Sequence, residues 1–237
     1  MTPVVAVVLG DVHLGEGGAA LAPFLDRLAQ RTPSRLVILG DLVDAWAEDA
    51  RVAARFADAF ARLRRLRAAG WRIDLVRGNR EALAGRRLEC ATGGRLRFPR
   101  VDLATAAGTV RVVHGDRLCR DPGYRAFAAV VGGFWTKALQ ALLPGPGVRA
   151  LVGGVRRRSR AMGERRAQGA PLALLDPRRV RGAARGAVRL VAGHIHARLE
   201  ANVGGVDVIL CGDWPDRLAQ WVEIHADGRI SRHRERL

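Results

Sequence analysis

Short, largely apolar runs rich in β-branched residues recur along this chain. They do not alternate between apolar and polar positions, which predicts strands buried on both faces of a sheet. The runs are Val4–Leu9, Leu36–Leu39, Ile73–Val76, Val110–Val113 and Val188–Val191. Helical spacing of apolar residues separates the first three, over Leu21–Gln30 and from Val52 to Leu66, with Gly70 as the expected stop. Alternating strands and helices predict an α/β fold.

The second half of the chain departs from this alternation. Two closely spaced strands, Val206–Leu210 and Trp221–His225, predict a more antiparallel second sheet. Between them and the first half, residues 121–176 carry apolar positions at helical spacing and predict a helical insertion, or lid. Residues 1–120 and 177–237 would then form the core. The tail, Arg229–Leu237, is expected to be a solvated end.

Five polar clusters begin where predicted strands end. Ligands of open α/β folds bind at the carboxyl ends of strands, so these separate segments are expected to converge on one site. Glycine precedes several of the polar residues and permits a sharp exit from the strand. The clusters are Asp11-Val12-His13, Gly40-Asp41, Gly78-Asn79-Arg80-Glu81, His114-Gly115-Asp116 and Gly193-His194-Ile195-His196.

Carboxylate, amide and imidazole groups of this kind bind hard or borderline divalent metals. Two cations held close together need an anionic ligand between them, and Asp41 is the candidate for that bridge. The first ion would be completed by Asp11, His13 and His196, and the second by Asn79, His114 and His194. Without a thiolate, this set favours Mn, Fe, Zn or Mg. A water molecule activated by two metals predicts hydrolysis of a phosphate ester or anhydride.

The charge balance of the chain is strongly basic. There are 40 basic and 23 acidic residues, a formal net charge of +17, and Lys137 is the single lysine. A GC-rich genome, which favours arginine, alanine and glycine codons, and an anionic partner explain this equally well. The odd number of cysteines, three without a C-x-x-C pair, fits a reducing cytoplasm.

The ordered clusters resemble the calcineurin-like metallophosphoesterase superfamily, whose pattern runs D-x-H, G-D, G-N-H/R-D/E, H-G and G-H-x-H. The match extends from Asp11 to His196. The resemblance implies a β-sandwich core flanked by helices, with two divalent metals, expected to be Mn²⁺. It also supports the metal roles assigned above, with Asp41, Asn79 and His114 as catalytic residues.

A narrower resemblance is to the UDP-2,3-diacylglucosamine pyrophosphohydrolases of lipid A biosynthesis. It rests on Gly40–Trp46, on His114–Cys119 and on Cys211–Trp214, which resemble that family's G-D-L-F-D-x-W, H-G-D-x-L-C and late G-D-W. It implies water attack at the α-phosphate of a nucleotide-sugar lipid, giving UMP and 2,3-diacylglucosamine 1-phosphate. The expected place of action is the cytoplasmic side of the inner membrane, with a peripheral contact to the membrane surface. We expect a monomer.

The same resemblance suggests substrate contacts. Arg80 follows Asn79 and would face the phosphates, where its planar fork suits bidentate contact. Asp121 and Tyr124 would hold the sugar or uracil end, or anchor the lid. Arginine stands at 166, where the family has lysine, and Glu81 stands where the family usually has aspartate. The full set of predicted substrate contacts is Asn79, Arg80, Asp121, Tyr124, Ser159, Arg166 and His194.

Two alternatives remain open on the residues alone. One is a related metallophosphoesterase, a phosphatase or phosphodiesterase with another phosphate substrate. The other is a non-catalytic scaffold bound through positive charge, which predicts loss of metal ligands, and none of the expected ligands is lost. Nucleic acid is not an expected partner, because aromatic residues make up 5% of the chain and none lies beside the basic run 156–160.

Overall fold

The computed structural model describes residues 2–120, 147, 154 and 170–237. Most of the predicted insertion therefore lies outside the described residues, and so does the basic run 156–160. Four predicted substrate contacts also fall there: Asp121, Tyr124, Ser159 and Arg166.

Two mixed sheets form the framework of the described residues. The first has six strands in the order β11-β10-β1-β2-β3-β4, and the second has five in the order β5-β6-β7-β9-β8. Strands β1, β2, β3 and β4 run parallel, as do β6, β7 and β9. In chain order the strands are β1 (Val4–Leu9), β2 (Arg35–Ile38), β3 (Arg72–Val76), β4 (Arg95–Arg97), β5 (Arg100–Thr105), β6 (Gly108–Val113), β7 (Arg189–Ala192), β8 (Arg198–Val203), β9 (Val206–Cys211), β10 (Leu218–His225) and β11 (Ile230–Arg236).

Helices cover the outer faces of the sheets. The described α-helices are α1 (Leu21–Leu28), α2 (Ala50–Ala54), α3 (Ala57–Ala68), α4 (Arg86–Thr92) and α5 (Pro177–Ala184). Short 3-10 helices span Asp116–Leu118 and Pro171–Leu174. Helix α1 buries Leu21, Phe24, Leu25 and Leu28, which share one face at helical spacing. No helix of the described part is both long and apolar enough to cross a bilayer.

Alternate residues of β1 point into different cores. Ala6 and Val8 join the apolar cluster that includes Val110 and Val112 of the other sheet, so this cluster fills the space between the sheets. Val7 and Leu9 pack instead with the helices on the outside. A strand that packs on both faces must be apolar at every position, as this one is. The predicted fold class, a sandwich of sheets flanked by helices, is confirmed.

The predicted strands are present, with ends shifted by one or two residues in most of them. The helix predicted from Val52 to Leu66 is instead two helices, α2 and α3, with a break at Phe56. At the break, Arg55 pairs with Asp44 at 3.2 Å and the Phe56 ring packs 5.8 Å from that of Phe60. The pairing with Asp44 reaches outside the helices and is not revealed by helical spacing, whereas the contact between Phe56 and Phe60, four residues apart, keeps that spacing.

Two predictions for the C-terminal part are wrong. The strand containing Trp221–His225 does not join the second sheet but pairs antiparallel with β1 in the first. The tail is not a loose solvated end. It forms β11, which pairs with β10 from Leu218 to Ile224. Alternation of Ser, His and Glu with arginine hides this strand, because an edge strand exposes most of its side chains.

The two ends of the predicted insertion lie side by side. The backbone N–H of Arg120 donates to the carbonyl of Leu174 at 2.9 Å, and that of Asp176 donates to the carbonyl of Leu118 at 2.9 Å. The chain therefore leaves the core and returns to it at one place. The division into core and lid stays a prediction, since the residues between these ends lie outside the described part.

Candidate active site

The five polar clusters lie at the carboxyl ends of strands from both sheets. Asp11, Asp41 and Asn79 come shortly after β1, β2 and β3, which are adjacent and parallel. His114 and His194 follow β6 and β7, the adjacent parallel strands of the second sheet. Because the two sheets pack face to face, these ends meet at one edge of the sandwich.

The ligating atoms gather into two groups, each with all its atoms within 4.8 Å of one another. One group consists of Asp11, His13 and His196, and the other of Asp41, His114 and His194. The amide oxygen of Asn79 lies 3.0 Å from Nε2 of His114, beside the second group. The seven side chains predicted as metal ligands are therefore brought together, divided as the sequence predicted.

Asp41 lies between the two groups. Its Oδ1 is 3.7 Å from Nε2 of His114, and its Oδ2 is 3.9 Å from Nε2 of His13. Each carboxylate oxygen thus faces a different group, which is the arrangement that a bridging ligand needs.

Potential ligand atoms of the first group lie close together. Nε2 of His13 lies 3.1 Å from Nε2 of His196. Oδ1 of Asp11 is buried and has no hydrogen-bond partner in the described part of the chain. A buried, unpaired carboxylate oxygen is costly, and a cation beside it removes the cost. The residues therefore fit a pair of divalent metal ions.

His114 is held in the ligand tautomer. Its Nδ1 lies 2.8 Å from the carbonyl oxygen of Leu39, which can only accept, so Nδ1 carries the hydrogen. Nε2 is then the ring atom that faces Oδ1 of Asn79 at 3.0 Å and Nδ1 of His194 at 3.2 Å. Such an outer hydrogen bond fixes the orientation of metal-binding histidines. The Leu39 carbonyl is a backbone group, and nothing in the sequence pattern signals this role.

Burial would lower the pKa of His114, but the charges of Asp41, Asp116 and Asp11 raise it to about 9. Without a cation, Nε2 therefore carries a proton and donates to Oδ1 of Asn79, and a bound metal ion would replace that proton.

Backbone strain is concentrated at the site. Six non-glycine residues of the described part have a positive φ, and five of them are predicted ligands. Such conformations cost of order 1–3 kcal/mol each and persist where the surroundings impose them. Their φ values lie between 50° and 69°, for Asp11, His13, Asp41, His194 and His196.

Close backbone approach explains two of the glycines. A Cβ on Gly78 would lie 2.4 Å from Oδ1 of Asp41, and a Cβ on Gly193 would lie 2.4 Å from Oδ2 of Asp11. Neither position can take a larger residue without displacing a carboxylate of the site. Gly78 and Gly193 are therefore needed because the carboxylates pack closely against them, and neither has the left-handed backbone conformation that favours glycine in a turn.

Glu81 supports the segment that carries Asp41. Its buried carboxylate accepts hydrogen bonds from the backbone N–H of Asp41 at 2.7 Å and from that of Val43 at 3.1 Å. Burial, and then the charge of Asp41, raise the pKa of Glu81 to about 7. This role was missed in the sequence, where Glu81 figured only as a departure from the family pattern.

Asp213 supports the first group from outside. Its Oδ2 lies 3.6 Å from Nδ1 of His196, and its backbone carbonyl accepts a hydrogen bond from Gln220 at 2.7 Å. The signal for this residue was present in the segment Cys211–Trp214, but the sequence assigned it no role. A hydrogen bond also joins the two groups, since the backbone N–H of His194 donates to Oδ2 of Asp11 at 2.6 Å.

The pKa values of the metal-free site reflect its burial and its dense charge. Burial raises the pKa of Asp11 to about 6 and lowers that of His13 to about 4. Burial would also raise the pKa of Asp41, but His114, His13 and Arg80 outweigh it and lower that pKa. His13 is therefore neutral at pH 7, which is the protonation state that a metal ligand requires.

Arg80 is more enclosed than a surface arginine. The residue is 9% exposed, its Nη1 donates to the carbonyl of Asp44 at 3.2 Å, and its backbone N–H donates to Oδ1 of Asp41 at 2.9 Å. Its buried Nε has no hydrogen-bond partner in the described residues. Nη1 also lies 3.9 Å from Oε1 of Glu16, and the charge of Arg80 lowers the pKa values of His13 and Asp41. The guanidinium is thus fixed near His13 and Asp41, and a direct contact with phosphate stays a prediction.

Comparison with known proteins finds relatives over nearly the full length of the chain. A UDP-2,3-diacylglucosamine hydrolase of Neisseria meningitidis serogroup B is 30% identical over 235 residues, covering 95% of this chain and 96% of that protein. The hydrolase of the same name from Neisseria gonorrhoeae is 29% identical and covers 94% of this chain and 95% of its own length. A third, from Bordetella parapertussis, is 39% identical over 127 residues, which cover 51% of this chain and 49% of that protein.

Other comparisons add little to these relatives. No family model matches the chain. A solved structure of an archaeal phosphodiesterase aligns over 97% of this chain and 99% of its own, with 10% identity and a TM-score of 0.46. A likeness of that size carries no functional information.

Proposed function

Since this chain belongs to the UDP-2,3-diacylglucosamine hydrolase family, we propose that it cleaves the pyrophosphate of UDP-2,3-diacylglucosamine by attack of water on the α-phosphate. The products are UMP and 2,3-diacylglucosamine 1-phosphate. The observation that carries this proposal is that two groups of potential metal ligands meet at Asp41, at the carboxyl ends of parallel strands from both sheets.

Two divalent metal ions, which we propose to be Mn²⁺, would occupy the two groups. Asp11, His13 and His196 would hold the first, Asn79, His114 and His194 the second, and Asp41 both. Bound there, the ions supply Lewis acidity for the phosphoryl oxygens and a lowered pKa for a water molecule.

The chain's own residues prepare the site for this chemistry. The Leu39 carbonyl accepts from Nδ1 of His114 and so fixes the ring with Nε2 toward the second group. The nearly buried Arg80 places a positive charge near His13 and Asp41, where it would offset charge on the phosphoryl oxygens. Asn79, Arg80 and His194 are therefore the proposed phosphate contacts among the described residues.

The remaining substrate contacts are proposed from the family resemblance. Asp121, Tyr124, Ser159 and Arg166 belong to the lid, outside the described residues. Because the proposed substrate carries two acyl chains, we propose that the enzyme works in peripheral contact with the cytoplasmic side of the inner membrane. We also propose that it is a monomer.

Product analysis in heavy-oxygen water tests the reaction. The purified protein, stripped with EDTA and reloaded with Mn²⁺, is expected to convert UDP-2,3-diacylglucosamine to UMP and the lipid monophosphate. Attack at the α-phosphate places ¹⁸O from H₂¹⁸O in UMP, and attack at the β-phosphate places it in the lipid product. Label in the lipid would refute the proposed point of attack. Hydrolysis of a simple phosphodiester but not of the UDP-lipid would favour a related phosphoesterase.

Two substitutions test the ligand assignment. Asp41→Ala and His114→Ala are expected to lower kcat by more than about a thousandfold, because each removes a ligand of the second group. Glu200→Ala, on the exposed side of β8, is the control. Mn²⁺ content measured by mass spectrometry should fall in Asp41→Ala and His114→Ala and stay unchanged in Glu200→Ala. Near-normal Mn²⁺ content and activity in either ligand variant would show that the assignment is wrong.

Vesicle sedimentation tests the membrane contact. The full-length protein is expected to sediment with vesicles containing anionic lipid and to be released by high salt. Equal recovery with neutral and anionic vesicles would exclude an electrostatic membrane contact.

A further inference from the structure

A cavity of about 140 Å³ adjoins the catalytic clusters on the side of His114. It lies where the edges of the two sheets meet, at the connection from β4 to β5. His114 and Gly115 line it, as do Phe98 and Pro99. His114 thus belongs both to the second ligand group and to the cavity lining, which places the cavity next to the site.

Phe98 is unusual among the apolar residues of the described part. It is 55% exposed, while most residues of its size are in the core. Two guanidinium groups lie over its ring, that of Arg117 at 4.5 Å and that of Arg77 at 5.4 Å from the ring centre. A ring and two planar cations at these distances form a surface suited to a flat, polar ligand.

The arginines of the cavity fall into two kinds. Arg111 is neutralised by a bidentate contact with Asp102 at 2.7 and 2.8 Å. Arg117 forms no ion pair with any described residue, and Arg77 donates only to the carbonyl of Ala84. Nε of Arg77 is buried without a hydrogen-bond partner in the described part of the chain. The cavity therefore offers donors that no described residue uses, namely the guanidinium of Arg117 and Nε of Arg77.

An acceptor stands beside these donors. Asp116 lines the cavity, and its charge also acts on the ring of His114. The cavity therefore combines an aromatic ring, two guanidinium groups with unused donors and one carboxylate acceptor.

We propose that this cavity is the subsite for the uracil ring of the substrate's nucleotide half, an inference that rests on the proposed function. The ring lies against the surface formed by Phe98 and the guanidinium groups. Arg77 and Arg117 donate to its carbonyl oxygens, and Asp116 accepts from its imide N–H. The size agrees with a single six-membered ring, since an engineered apolar cavity of about 150 Å³ binds benzene.

This arrangement predicts selection between pyrimidines. Uracil presents two carbonyl acceptors and an N–H donor on this edge, which complement arginine and aspartate. Cytosine has an unprotonated ring nitrogen in place of that N–H and an amino group in place of one carbonyl. The lone pair of the nitrogen would face the Asp116 carboxylate, and the amino group, a donor, would face an arginine donor. A site built for specific hydrogen bonds rejects the ligand that leaves them unpaired.

Nucleotide binding tests the proposal without the lipid. Affinities of UMP and CMP for the full-length, Mn²⁺-loaded protein are measured by isothermal titration calorimetry. UMP is expected to bind about tenfold more tightly than CMP. Phe98→Leu and Arg117→Gln should each weaken UMP binding by roughly tenfold, because they remove a stacking surface or a donor. Asp116→Asn should bring the UMP and CMP affinities close together.

The control is Arg178→Gln, which removes one charge at an exposed position on α5 and should leave both affinities unchanged. Thermal melting verifies that each variant is folded. In the hydrolysis assay, Phe98→Leu and Arg117→Gln should raise KM and leave kcat nearly constant, as expected when an interaction made equally in the ground state and the transition state is lost.

Equal affinity of the wild type for UMP and CMP, or UMP binding within twofold of wild type in both Phe98→Leu and Arg117→Gln, would refute the subsite. Either result leaves the proposed hydrolysis standing if UMP is still released from the UDP-lipid. Absence of that release, with base-selective UMP binding intact, would refute the proposed function and keep the subsite.

Discussion

Replacement of Glu81 tests whether one buried carboxylate holds the Asp41 segment in place. Glu81 is 3% exposed, and its two oxygens accept from the backbone N–H groups of Asp41 and Val43. Glu81→Ala leaves both of these donors without a partner. Glu81→Gln keeps the shape of the side chain but retains a single acceptor oxygen, so one donor then faces an amide NH₂.

The expected cost follows from the number of orphaned donors. An unsatisfied buried N–H costs about 1–3 kcal/mol, so two of them cost about 2–6 kcal/mol. Removal of the buried carboxylate recovers part of this, since burial already raises the pKa of Glu81 to about 7. We expect a net loss of about 3 kcal/mol for Glu81→Ala and about 1–2 kcal/mol for Glu81→Gln.

Thermal unfolding of the EDTA-treated protein measures this loss apart from any effect of bound metal. At about 2–4 °C per kcal/mol, Tm should fall by roughly 6–12 °C for Glu81→Ala and 2–8 °C for Glu81→Gln. Mn²⁺ affinity should fall about tenfold or more in both, because the bridging carboxylate loses its support. Glu200→Gln, at an exposed position, is the control for loss of one negative charge. If Glu81→Ala melts within 1–2 °C of wild type, these two hydrogen bonds do not stabilise the segment.

Further predictions concern packing, charge and metal. Asp74→Asn should lower the free energy of unfolding by about 2–4 kcal/mol, measured in urea, because the fully buried Asp74 carboxylate accepts from Arg35 and Arg97 at 2.6 Å each. Burial would raise the pKa of Asp74, but the two arginines lower it below its value in the unfolded chain. The stability gained from the carboxylate is therefore present above about pH 4 and is lost as the pH falls further. An advantage of the wild type over Asp74→Asn that persisted unchanged at pH 2 would contradict the reasoning. Gly193→Ala should abolish activity and weaken Mn²⁺ binding, because its Cβ would lie 2.4 Å from Oδ2 of Asp11; normal binding would show that the loop can yield. Removal of metal with EDTA should abolish hydrolysis and readdition of Mn²⁺ should restore it, whereas activity retained in EDTA would exclude a metal-dependent reaction.

The strands and the ligands were predictable from the sequence for a common reason. A strand buried on both faces must be apolar throughout, and a metal site needs particular side-chain chemistry where strands end. Val4–Leu9 followed by Asp11 and His13 shows both signals in one short segment. The division of the side chains into two groups does not follow from strand order, since His194 and His196 follow the same strand and lie in different groups.

Features that depend on distant contacts were not predictable. The placement of β10 beside β1 and the existence of β11 are set by pairing with remote segments. Local spacing carries no information about such partners. The tail has the polar composition of a solvated end and becomes a strand through its hydrogen bonds to β10.

The sequence by itself determined which chemical groups the site contains, because ligand type and strand-end position are written in short local patterns. Only the tertiary structure decided how those groups are supported: the tautomer of His114 set by the Leu39 carbonyl, the Asp41 segment held by Glu81, and His196 backed by Asp213. Each of these contacts joins segments far apart in the chain or involves a backbone atom. Only folding brings these groups within hydrogen-bonding or electrostatic reach. Every residue has a backbone carbonyl, so the pattern of side chains does not show which carbonyl will accept a given hydrogen bond.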